Sequence, residues 1–293
     1  EVPNRVAVIG AGAVGLELGS VWSRLGSEVT ICEALTEFLP NADDAVSKEA
    51  LKVFSKQGLN IHLGTEVESL ELVENKVRMI LSNKELGDLE VDKVIFAVGR
   101  KPASEGLFDP KLGIELEDQG FVKVNEFCQT GVQNIYAIGD LVRGPMLAHK
   151  ASEEGTIVAE KIAGQTGHID RHCIPWVIYT HPEIAWVGQT EPQLIAEGLQ
   201  YRTGSFPYGG NGRAQGAGET QGVVKILGCS KTDRLLGVHI FGAQASELIG
   251  EAVVTMAFGG ATEDLARIIH AHPTLSELIH EAALSVDDRA IHL

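Results

Sequence analysis

Three glycines placed directly after a short apolar run constrain this chain more than any other feature. Gly10, Gly12 and Gly15 form the pattern G-x-G-x-x-G at the end of Arg5–Ile9, whose composition predicts a buried strand, and a helical periodicity follows over residues 15–25. In this context the first glycine permits a tight turn, the second lets a ligand approach the backbone, and the third lets the helix pack on the strand. The N-terminus of that helix then offers free N–H groups to an anion such as a pyrophosphate.

An acidic residue further along the chain indicates which dinucleotide contributes this pyrophosphate. Glu33 lies 18 residues after Gly15, at the end of a second predicted strand, Glu28–Cys32. A carboxylate at this point hydrogen-bonds the 2′-hydroxyl of an adenosine ribose and repels a 2′-phosphate. No Arg or Lys lies between Thr30 and Asn41 to offset that repulsion. These residues predict an NAD site rather than an NADP site, the alternative being a glycine turn with a solvated glutamate.

The alternation of strand and helix continues after Glu33. A predicted helix at 43–57 and a strand at 60–63 complete the order β-α-β-α-β, which predicts a parallel sheet with right-handed crossovers. Three strands without an intervening helix follow, at Val67–Val73, 76–82 and 89–98. They predict an antiparallel meander whose last strand is apolar enough to return to the parallel sheet. The fold class is therefore α/β, with a Rossmann-like domain and an inserted β-meander.

Two breaks in regular structure divide the rest of the chain. Pro102 and Gly106 mark the first, and the sequence GQTG at 164–167 marks the second. Between them we predict strands at 121–124 and 134–138 and a helix at 152–163. After the second break, four predicted strands followed by three helices indicate an α+β region. The predicted domains are residues 1–100, 101–168 and 169–293.

Charge and cysteine content narrow the classes of partner. Lys and Arg number 24 against 40 Asp and Glu, so the net charge is −16. Such a chain repels phosphate backbones, and we predict no nucleic-acid partner. No apolar run reaches the roughly 18 residues of a membrane helix, so we predict no membrane partner. The four cysteines form no C-x-x-C or C-x₄-C pair, which predicts neither a local redox dithiol nor a metal site: Cys32, Cys128, Cys173 and Cys229.

Four further motifs resemble those of the flavoprotein disulfide reductases. AVGRKP at 97–102 resembles the end of that family's NAD domain, and IYAIGD at 135–140 resembles part of its FAD domain. IPWVIYTHPEIAWVGQTE at 174–191 resembles the start of its dimerisation domain, and HAHPTLSE at 270–277 its active-site base segment. Their order and spacing are most similar to the dihydrolipoamide dehydrogenase branch. The family's first FAD-binding part, with its own glycine motif and C-x₄-C dithiol, has no counterpart here, and Ala103 stands where the family often has Asn.

The resemblance implies roles for residues around the glycine turn. Glu17 would reach toward the nicotinamide, Glu33 would hold the adenosine ribose, and Val67 would lie against the adenine. Gly99 would approach the NAD through its backbone. The residues alone leave simpler alternatives open, since Glu17 suits the first turn of any helix and Val67 suits any sheet. The turn itself would comprise Gly10, Ala11, Gly12, Ala13, Val14, Gly15, Leu16 and Glu17.

A second set of residues is implied to contact the flavin. Asp140 would accept a hydrogen bond from the ribityl or phosphate region of FAD. The isoalloxazine would be lined by four consecutive residues, Met146, Leu147, Ala148 and His149. The N-terminus of the helix that follows would stabilise negative charge on a reduced flavin. The alternatives are that Asp140 caps a turn and that His149 is a surface residue of the helix.

The last motif contains the candidate catalytic pair. The resemblance implies that His272 is an acid–base catalyst and that Glu277 orients it. Imidazole suits the proton transfers that accompany thiol–disulfide exchange near neutral pH. Thr274-x-x-Glu277 is also a capping-box pattern, so Glu277 can instead close a helix N-terminus. His270 and His280 fit packing or surface positions better than catalytic ones.

The resemblance as a whole implies a portion of an NAD-dependent dihydrolipoamide dehydrogenase. Such an enzyme is a homodimer that oxidises dihydrolipoamide on a lipoyl-bearing acyltransferase with FAD and NAD⁺, in 2-oxo acid dehydrogenase complexes. The expected compartment is the cytoplasm, or the mitochondrial matrix in a eukaryote. We expect this chain alone to be inactive. The alternatives are another disulfide reductase, of the glutathione or mercuric reductase type, and a non-catalytic module for NAD binding and dimerisation.

Overall fold

The structure is a computed structural model that describes residues 1–293, and these residues form two compact units. One unit joins Glu1–Val98 to His172–Leu293, and the other is Gly99–Arg171. Residues 1–98 of the first predicted domain and 172–293 of the last therefore lie in one unit. None of the helices is long and apolar enough to cross a membrane.

The parallel sheet that carries the glycine turn is built from the first 98 residues. Its strand order is β3-β2-β1-β7, with every pair parallel, and the antiparallel meander β4-β5-β6 is a separate sheet. The central strand is buried on both faces, because Val6 and Val8 pack in the core under the helices and Ala7 packs in the core of the meander. The elements are β1 (Arg5–Ile9), α1 (Ala13–Arg24), β2 (Glu28–Cys32), α2 (Asp44–Lys56), β3 (Leu59–His62), β4 (Val67–Val73), β5 (Lys76–Leu81), β6 (Leu89–Val91) and β7 (Lys93–Phe96).

The predicted strand at 89–98 is wrong as a single element. Its first part, β6, pairs with β5 in the meander, and its second part, β7, pairs with β1 in the parallel sheet. Asp92 lies at the corner between them. Its carboxylate accepts the backbone N–H of Arg5 at 2.9 Å, and its own N–H donates to the Arg5 carbonyl at 2.9 Å. These bonds direct the chain from one sheet into the other.

The unit Gly99–Arg171 contains one α-helix, α3 (Ala148–Ile162), and short 3₁₀ turns. The predicted strands at 121–124 and 134–138 are wrong, because the residues there form only isolated bridges. Side chains replace the strand ladder in this region. Asn125 accepts the N–H groups of Phe127 and Gln129, both at 3.0 Å, and Thr130 Oγ1 donates to the Ile135 carbonyl at 3.0 Å.

The C-terminal part confirms the predicted α+β pattern. Its antiparallel sheet has the order β10-β11-β12-β9-β8, with α8 packed on β10 and β11 and α6 on β12 and β9. Sequence patterns missed β9 and the two short helices α4 and α5. The elements are β8 (Trp176–Ile178), β9 (Glu183–Gly188), α4 (Glu191–Ala196), β10 (Tyr201–Pro207), α5 (Gly212–Ala217), β11 (Val223–Cys229), β12 (Leu235–Gly242), α6 (Ala245–Ala257), α7 (Thr262–Arg267) and α8 (Glu277–Ser285).

One hydrophobic core joins the parallel sheet to the antiparallel sheet. Val6 and Phe54 from the first part and Ile184 and Phe241 from the second belong to the same buried cluster. The rings of Phe54 and Phe241 meet edge to face, with centroids 5.8 Å apart. The shared core explains why the glycine turn and the C-terminal region occur in one compact unit.

Candidate functional site

The glycine turn has the backbone geometry that its sequence predicts. Gly10 has φ +101°, and a Cβ atom there would lie 2.5 Å from the Ala97 carbonyl oxygen. A Cβ atom on Gly15 would lie 2.0 Å from the Gly10 carbonyl oxygen. Both positions therefore require glycine, one for the turn and one for the close packing of α1 on that turn.

Gly12 differs from the other two glycines because nothing lies within 4 Å of the position that its Cβ would occupy. It is the N-cap residue of α1, and no side chain caps that helix. Ala13 and Val14 are exposed in the first turn, whereas Ala11 and Leu16 are buried beneath it. The helix N-terminus therefore has open space in front of it, which fits the pyrophosphate of a dinucleotide.

The carboxylate of Glu33 turns toward the glycine turn. Its Oε2 accepts the N–H of Ala11 at 2.7 Å, and its Oε1 accepts the N–H of Leu35 at 2.9 Å. The side chain is only partly buried. The end of β2 thus places a negative charge beside the turn, where it can meet a ribose hydroxyl and oppose a phosphate.

Two other residues predicted to bind NAD have partners within the protein. Glu17, on α1, accepts the backbone N–H of Tyr179 at 2.8 Å through Oε1. Tyr179 directly follows β8, so this bond joins the glycine-turn helix to the antiparallel sheet. Val67 begins β4 and packs against the small core of the meander. These contacts account for both side chains without a ligand, and the roles implied by the resemblance remain predictions.

In the unit Gly99–Arg171, one arginine joins two of the predicted flavin contacts. Arg100 donates to the Asp140 carboxylate at 3.0 Å and to the Met146 carbonyl at 2.5 Å. Gly99, just before it, has φ +104° and open space around its Cβ position. The Asp140 carboxylate is thus held by the Arg100 guanidinium. An aspartate that only caps a turn would have no such partner.

The start of α3 completes the predicted flavin contacts. Leu147 is the N-cap residue and offers no side-chain cap, while Ala148 and His149 are exposed in the first turn. A buried ion pair lies beneath this turn, with Lys150 Nζ 3.1 Å from Glu154 Oε1. Glu154 accepts the Gly139 N–H at 2.8 Å, and Lys150 donates to the Gly139 carbonyl at 3.1 Å. The N-terminus of α3 is uncapped, and the neighbouring turn at Gly139 is held by the Lys150–Glu154 pair. This arrangement fits part of a flavin site.

His272 and Glu277 are hydrogen-bonded to each other. His272 Nδ1 lies 2.9 Å from Glu277 Oε1, and the imidazole is 73% exposed. Glu277 Oε2 accepts the backbone N–H of Thr274 at 2.8 Å. The carboxylate therefore orients the histidine and also holds the backbone two residues before Ser276, the N-cap residue of α8. Only half of the predicted capping box forms, because Glu277 accepts the Thr274 N–H but the Thr274 hydroxyl donates to the Ala271 carbonyl at 2.6 Å and caps no N–H of α8.

The environment of Glu277 keeps it ionised. Partial burial on its own would raise the pKa of this carboxyl, but the hydrogen bonds from the Thr274 N–H and from His272 lower it below its usual value. An ionised carboxylate accepts a proton-bearing Nδ1, which leaves Nε2 of His272 to exchange a proton with another molecule.

Sequence reasoning missed several residues that support these groups. Arg100 lies in a recognised motif, but its partners Asp140 and Met146 are 40 and 46 residues away. Glu251 lies 2.7 Å from His270, and nothing in the local sequence marks it. The structure contains no group of three or more His, Cys, Asp or Glu side chains that could hold a metal ion.

Two family models match the chain. A model described as pyridine nucleotide-disulphide oxidoreductase matches residues 1–155, and the model for the dimerisation domain of such proteins matches residues 174–283. A solved structure of an HOCl-induced flavoprotein disulfide reductase from Escherichia coli is 28% identical, with a TM-score of 0.89 over 97% of this chain and 65% of that one. Family models and structure thus agree over both the N-terminal and C-terminal parts.

Curated relatives are similar over the full length of the chain. A dihydrolipoyl dehydrogenase from Cupriavidus necator is 53% identical over 100% of this chain and 62% of its own length. A mitochondrial dihydrolipoyl dehydrogenase from Homo sapiens is 46% identical over 97% of this chain and 57% of its own length. The chain therefore spans about 60% of the length of these relatives.

Proposed function

Because the chain belongs to the pyridine nucleotide-disulphide oxidoreductase family, we propose that it is a portion of a dihydrolipoyl dehydrogenase. That enzyme oxidises protein-bound dihydrolipoamide with FAD and NAD⁺. The observation that carries the proposal is the open helix N-terminus at Gly12 with the Glu33 carboxylate beside it. The names and identities of the curated relatives support the same activity.

The NAD site is proposed at the glycine turn. The N-terminus of α1 would hold the pyrophosphate, with Glu33 at the adenosine ribose and Val67 near the adenine. Glu17 and Gly99 would lie toward the nicotinamide end. When bound, NAD⁺ supplies the hydride acceptor and FAD the carrier between it and a pair of thiols. The chain's own part is to hold the dinucleotide by backbone N–H groups and to reject a 2′-phosphate.

The chain supplies only part of a flavin site. Asp140, held by Arg100, would bind the ribityl or phosphate region. Met146, Leu147, Ala148 and His149 would line the isoalloxazine at the start of α3. The second glycine motif that would hold the FAD pyrophosphate does not occur in this sequence. We therefore propose that this chain alone binds NAD but retains little or no flavin.

His272 is proposed to exchange a proton with a thiol during disulfide exchange, through Nε2. Glu277 positions the ring by accepting from Nδ1. In the proposed homodimer, which the match to a dimerisation domain supports, His272 serves the dithiol of the partner subunit. The proposed partner is a lipoyl-bearing acyltransferase of a 2-oxo acid dehydrogenase complex. Bacterial and mitochondrial relatives support the bacterial cytoplasm or the mitochondrial matrix as the compartment.

A second candidate is a non-catalytic module for NAD binding and dimerisation. The cysteines favour it, because none of the four lies in a C-x-x-C or C-x₄-C pair that could act as a redox dithiol. Under this hypothesis the chain binds NAD and pairs with a second copy, and it transfers no electrons by itself.

Steady-state turnover tests the leading proposal. We expect the intact enzyme that contains this chain to reduce NAD⁺ with dihydrolipoamide and to show no activity on glutathione. We expect this chain alone to have no visible flavin absorbance and no turnover. Activity of the intact enzyme on glutathione without activity on lipoamide would contradict the proposal.

A further inference from the structure

A second histidine–carboxylate pair lies two residues before His272. His270 Nε2 is 2.7 Å from Oε1 of Glu251, which belongs to α6. His270 Nδ1 is 3.0 Å from the carbonyl oxygen of Ile268. The His270 side chain is only 6% exposed, whereas that of His272 is 73% exposed. The two histidines therefore face different surroundings within one short loop.

Both partners of the His270 ring are hydrogen-bond acceptors. A backbone carbonyl cannot donate, so Nδ1 must carry a proton to bond Ile268. A second proton must then lie between Nε2 and the Glu251 carboxylate, because an unprotonated Nε2 facing an ionised oxygen would be repelled. The pair thus retains one proton more than a neutral imidazole and an ionised carboxylate would hold. Such charge-assisted hydrogen bonds are among the stronger ones in proteins.

The groups that surround the ring agree with this assignment. A further titratable side chain against His270 is His280 of α8, whose ring centroid lies 5.1 Å away at a tilt of 44°. His280 Nδ1 is 3.4 Å from the carbonyl of Leu265 on α7. His280 can donate that bond as a neutral ring, so it need not place a second positive charge beside His270.

The pair anchors one side of the loop that carries His272. The loop joins the end of α7 to the start of α8, and the neighbouring Ile269 is 97% exposed, so His270 is the side chain that turns inward. On the other side of His272, Thr274 is anchored through its N–H to Glu277 at 2.8 Å. The Thr274 carbonyl accepts from Asn211 Nδ2 at 3.0 Å. His272 thus projects from a short segment that is fixed at both ends.

We propose that His270 is a positioning residue for His272, and that it acts by sharing a proton with Glu251 and so fixing the loop on its upstream side. The inference rests on the proposed role of His272 as the group that exchanges a proton. An imidazole that must present Nε2 needs Nδ1 held against Glu277, and a loose upstream segment would let the ring leave that carboxylate.

Ring ¹⁵N NMR of the whole chain tests the proposal without any cofactor or substrate. The chain has 10 histidines, and single His→Gln variants assign the signals of His270 and His272. In the unmodified chain we expect both ring nitrogens of His270 to carry protons at neutral pH. When its ring is neutral, we expect His272 to be mainly the Nδ1–H form, because Nδ1 faces Glu277, whereas a free histidine side chain prefers Nε2–H.

Variants of Glu251 separate positioning from general loss of structure. Glu251→Ala removes the anchor, and we expect His272 to lose its Nδ1–H preference. In Glu251→Gln, the amide can still bond a neutral His270, so His270 should lose one ring proton while His272 keeps its tautomer. The matched control is Glu247→Ala, an exposed residue one turn earlier on α6 that should change neither ring. Thermal unfolding of each variant verifies that it is folded.

Three results would overturn the proposal. The first is a single ring proton on His270 at neutral pH in the unmodified chain. The second is a folded Glu251→Ala chain in which His272 keeps its tautomer. The third is loss of that tautomer in Glu251→Gln to the same extent as in Glu251→Ala. A failure of lipoamide turnover would leave these signals unchanged, so the two proposals fail separately.

Discussion

At the scale of single residues, glutamates serve both the backbone and the predicted chemistry. Glu33 accepts two N–H groups, one of them from Ala11 inside the glycine turn. Glu277 accepts the Thr274 N–H with one oxygen and faces His272 with the other. A carboxylate fixed in this way presents its charge at a defined place, and its removal disturbs local structure and chemistry together.

Substitution of Glu277 tests this double role in the chain itself. We expect Glu277→Ala to lower the free energy of unfolding by about 1–2 kcal/mol, because the partly buried Thr274 N–H loses its acceptor. Glu277→Gln should cost less, since the amide oxygen can still accept from Thr274. Urea unfolding measures both values. Equal losses in the two variants would contradict the contribution of this hydrogen bond.

The pH dependence of the same variant has a defined sign. The folded-state pKa of Glu277 is lowered, so its contribution is present above the unfolded-state pKa and is lost as the pH falls through the folded-state value. Glu277→Ala should therefore be closest in stability to the unmodified chain in acid. A difference that grows toward low pH would contradict this assignment.

At the scale of elements, a buried polar network ties α2 to the antiparallel sheet. Lys225 on β11 lies 2.8 Å from Asp43, the N-cap residue of α2, and 2.5 Å from Glu191 at the start of α4. Asp43 is fully buried, and although burial alone would raise its pKa, the hydrogen bonds from Lys225 and backbone N–H groups lower it. Asp43 also accepts the N–H of Glu191 at 2.9 Å.

Removal of Lys225 tests the strength of this connection. Lys225→Met leaves Asp43 buried without its cation, and we expect a loss of about 3–5 kcal/mol in the free energy of unfolding. The double variant Lys225→Met, Asp43→Asn should recover part of the loss, because Asn keeps the helix cap without the charge. The control Lys48→Met removes an exposed ion pair on α2 and should cost under about 0.5 kcal/mol. A Lys225→Met loss as small as that of the control would contradict the connection.

A buried histidine on β12 predicts that the stability of the protein falls in acid. His239 is fully buried, its Nε2 bonds the Gln189 carbonyl at 3.0 Å, and its Nδ1 has no partner. Burial lowers the pKa of His239 from 6.5 to about 4. The unfolded chain therefore binds a proton that the folded chain rejects, and stability falls as the pH drops from the unfolded value toward the folded one.

Urea unfolding across this pH range measures the effect. We expect His239 to account for about 3 kcal/mol of the stability lost between near neutral pH and pH 4, following the free-energy equivalent of a pKa shift. His239→Gln, which cannot be protonated, should flatten that part of the profile. An unchanged slope in the variant would show that other groups cause the acid sensitivity.

At the scale of the whole molecule, contacts close in sequence were predictable and distant ones were not. The glycine turn and Glu33 lie within one βαβ repeat, where spacing alone places the carboxylate beside the turn. Asp43 and Lys225 are 182 residues apart, and no local pattern indicates that they meet. The predicted strands at 121–124 and 134–138 failed because Asn125 and Thr130 side chains bind the backbone there instead of a strand.

The proposed function depends most on dinucleotide binding at the glycine turn, which calorimetric titration of the chain with NAD tests directly. The variant to compare is Gly12→Val, because nothing lies within 4 Å of the Cβ position and φ is −75°. The side chain should therefore fill the space in front of α1 without unfolding the protein. We predict saturable binding of one NAD by the unmodified chain, and at least a tenfold loss of affinity in a Gly12→Val chain whose urea unfolding is unchanged within about 0.5 kcal/mol. Absence of NAD binding by the unmodified chain, or equal binding by the variant, would contradict the account.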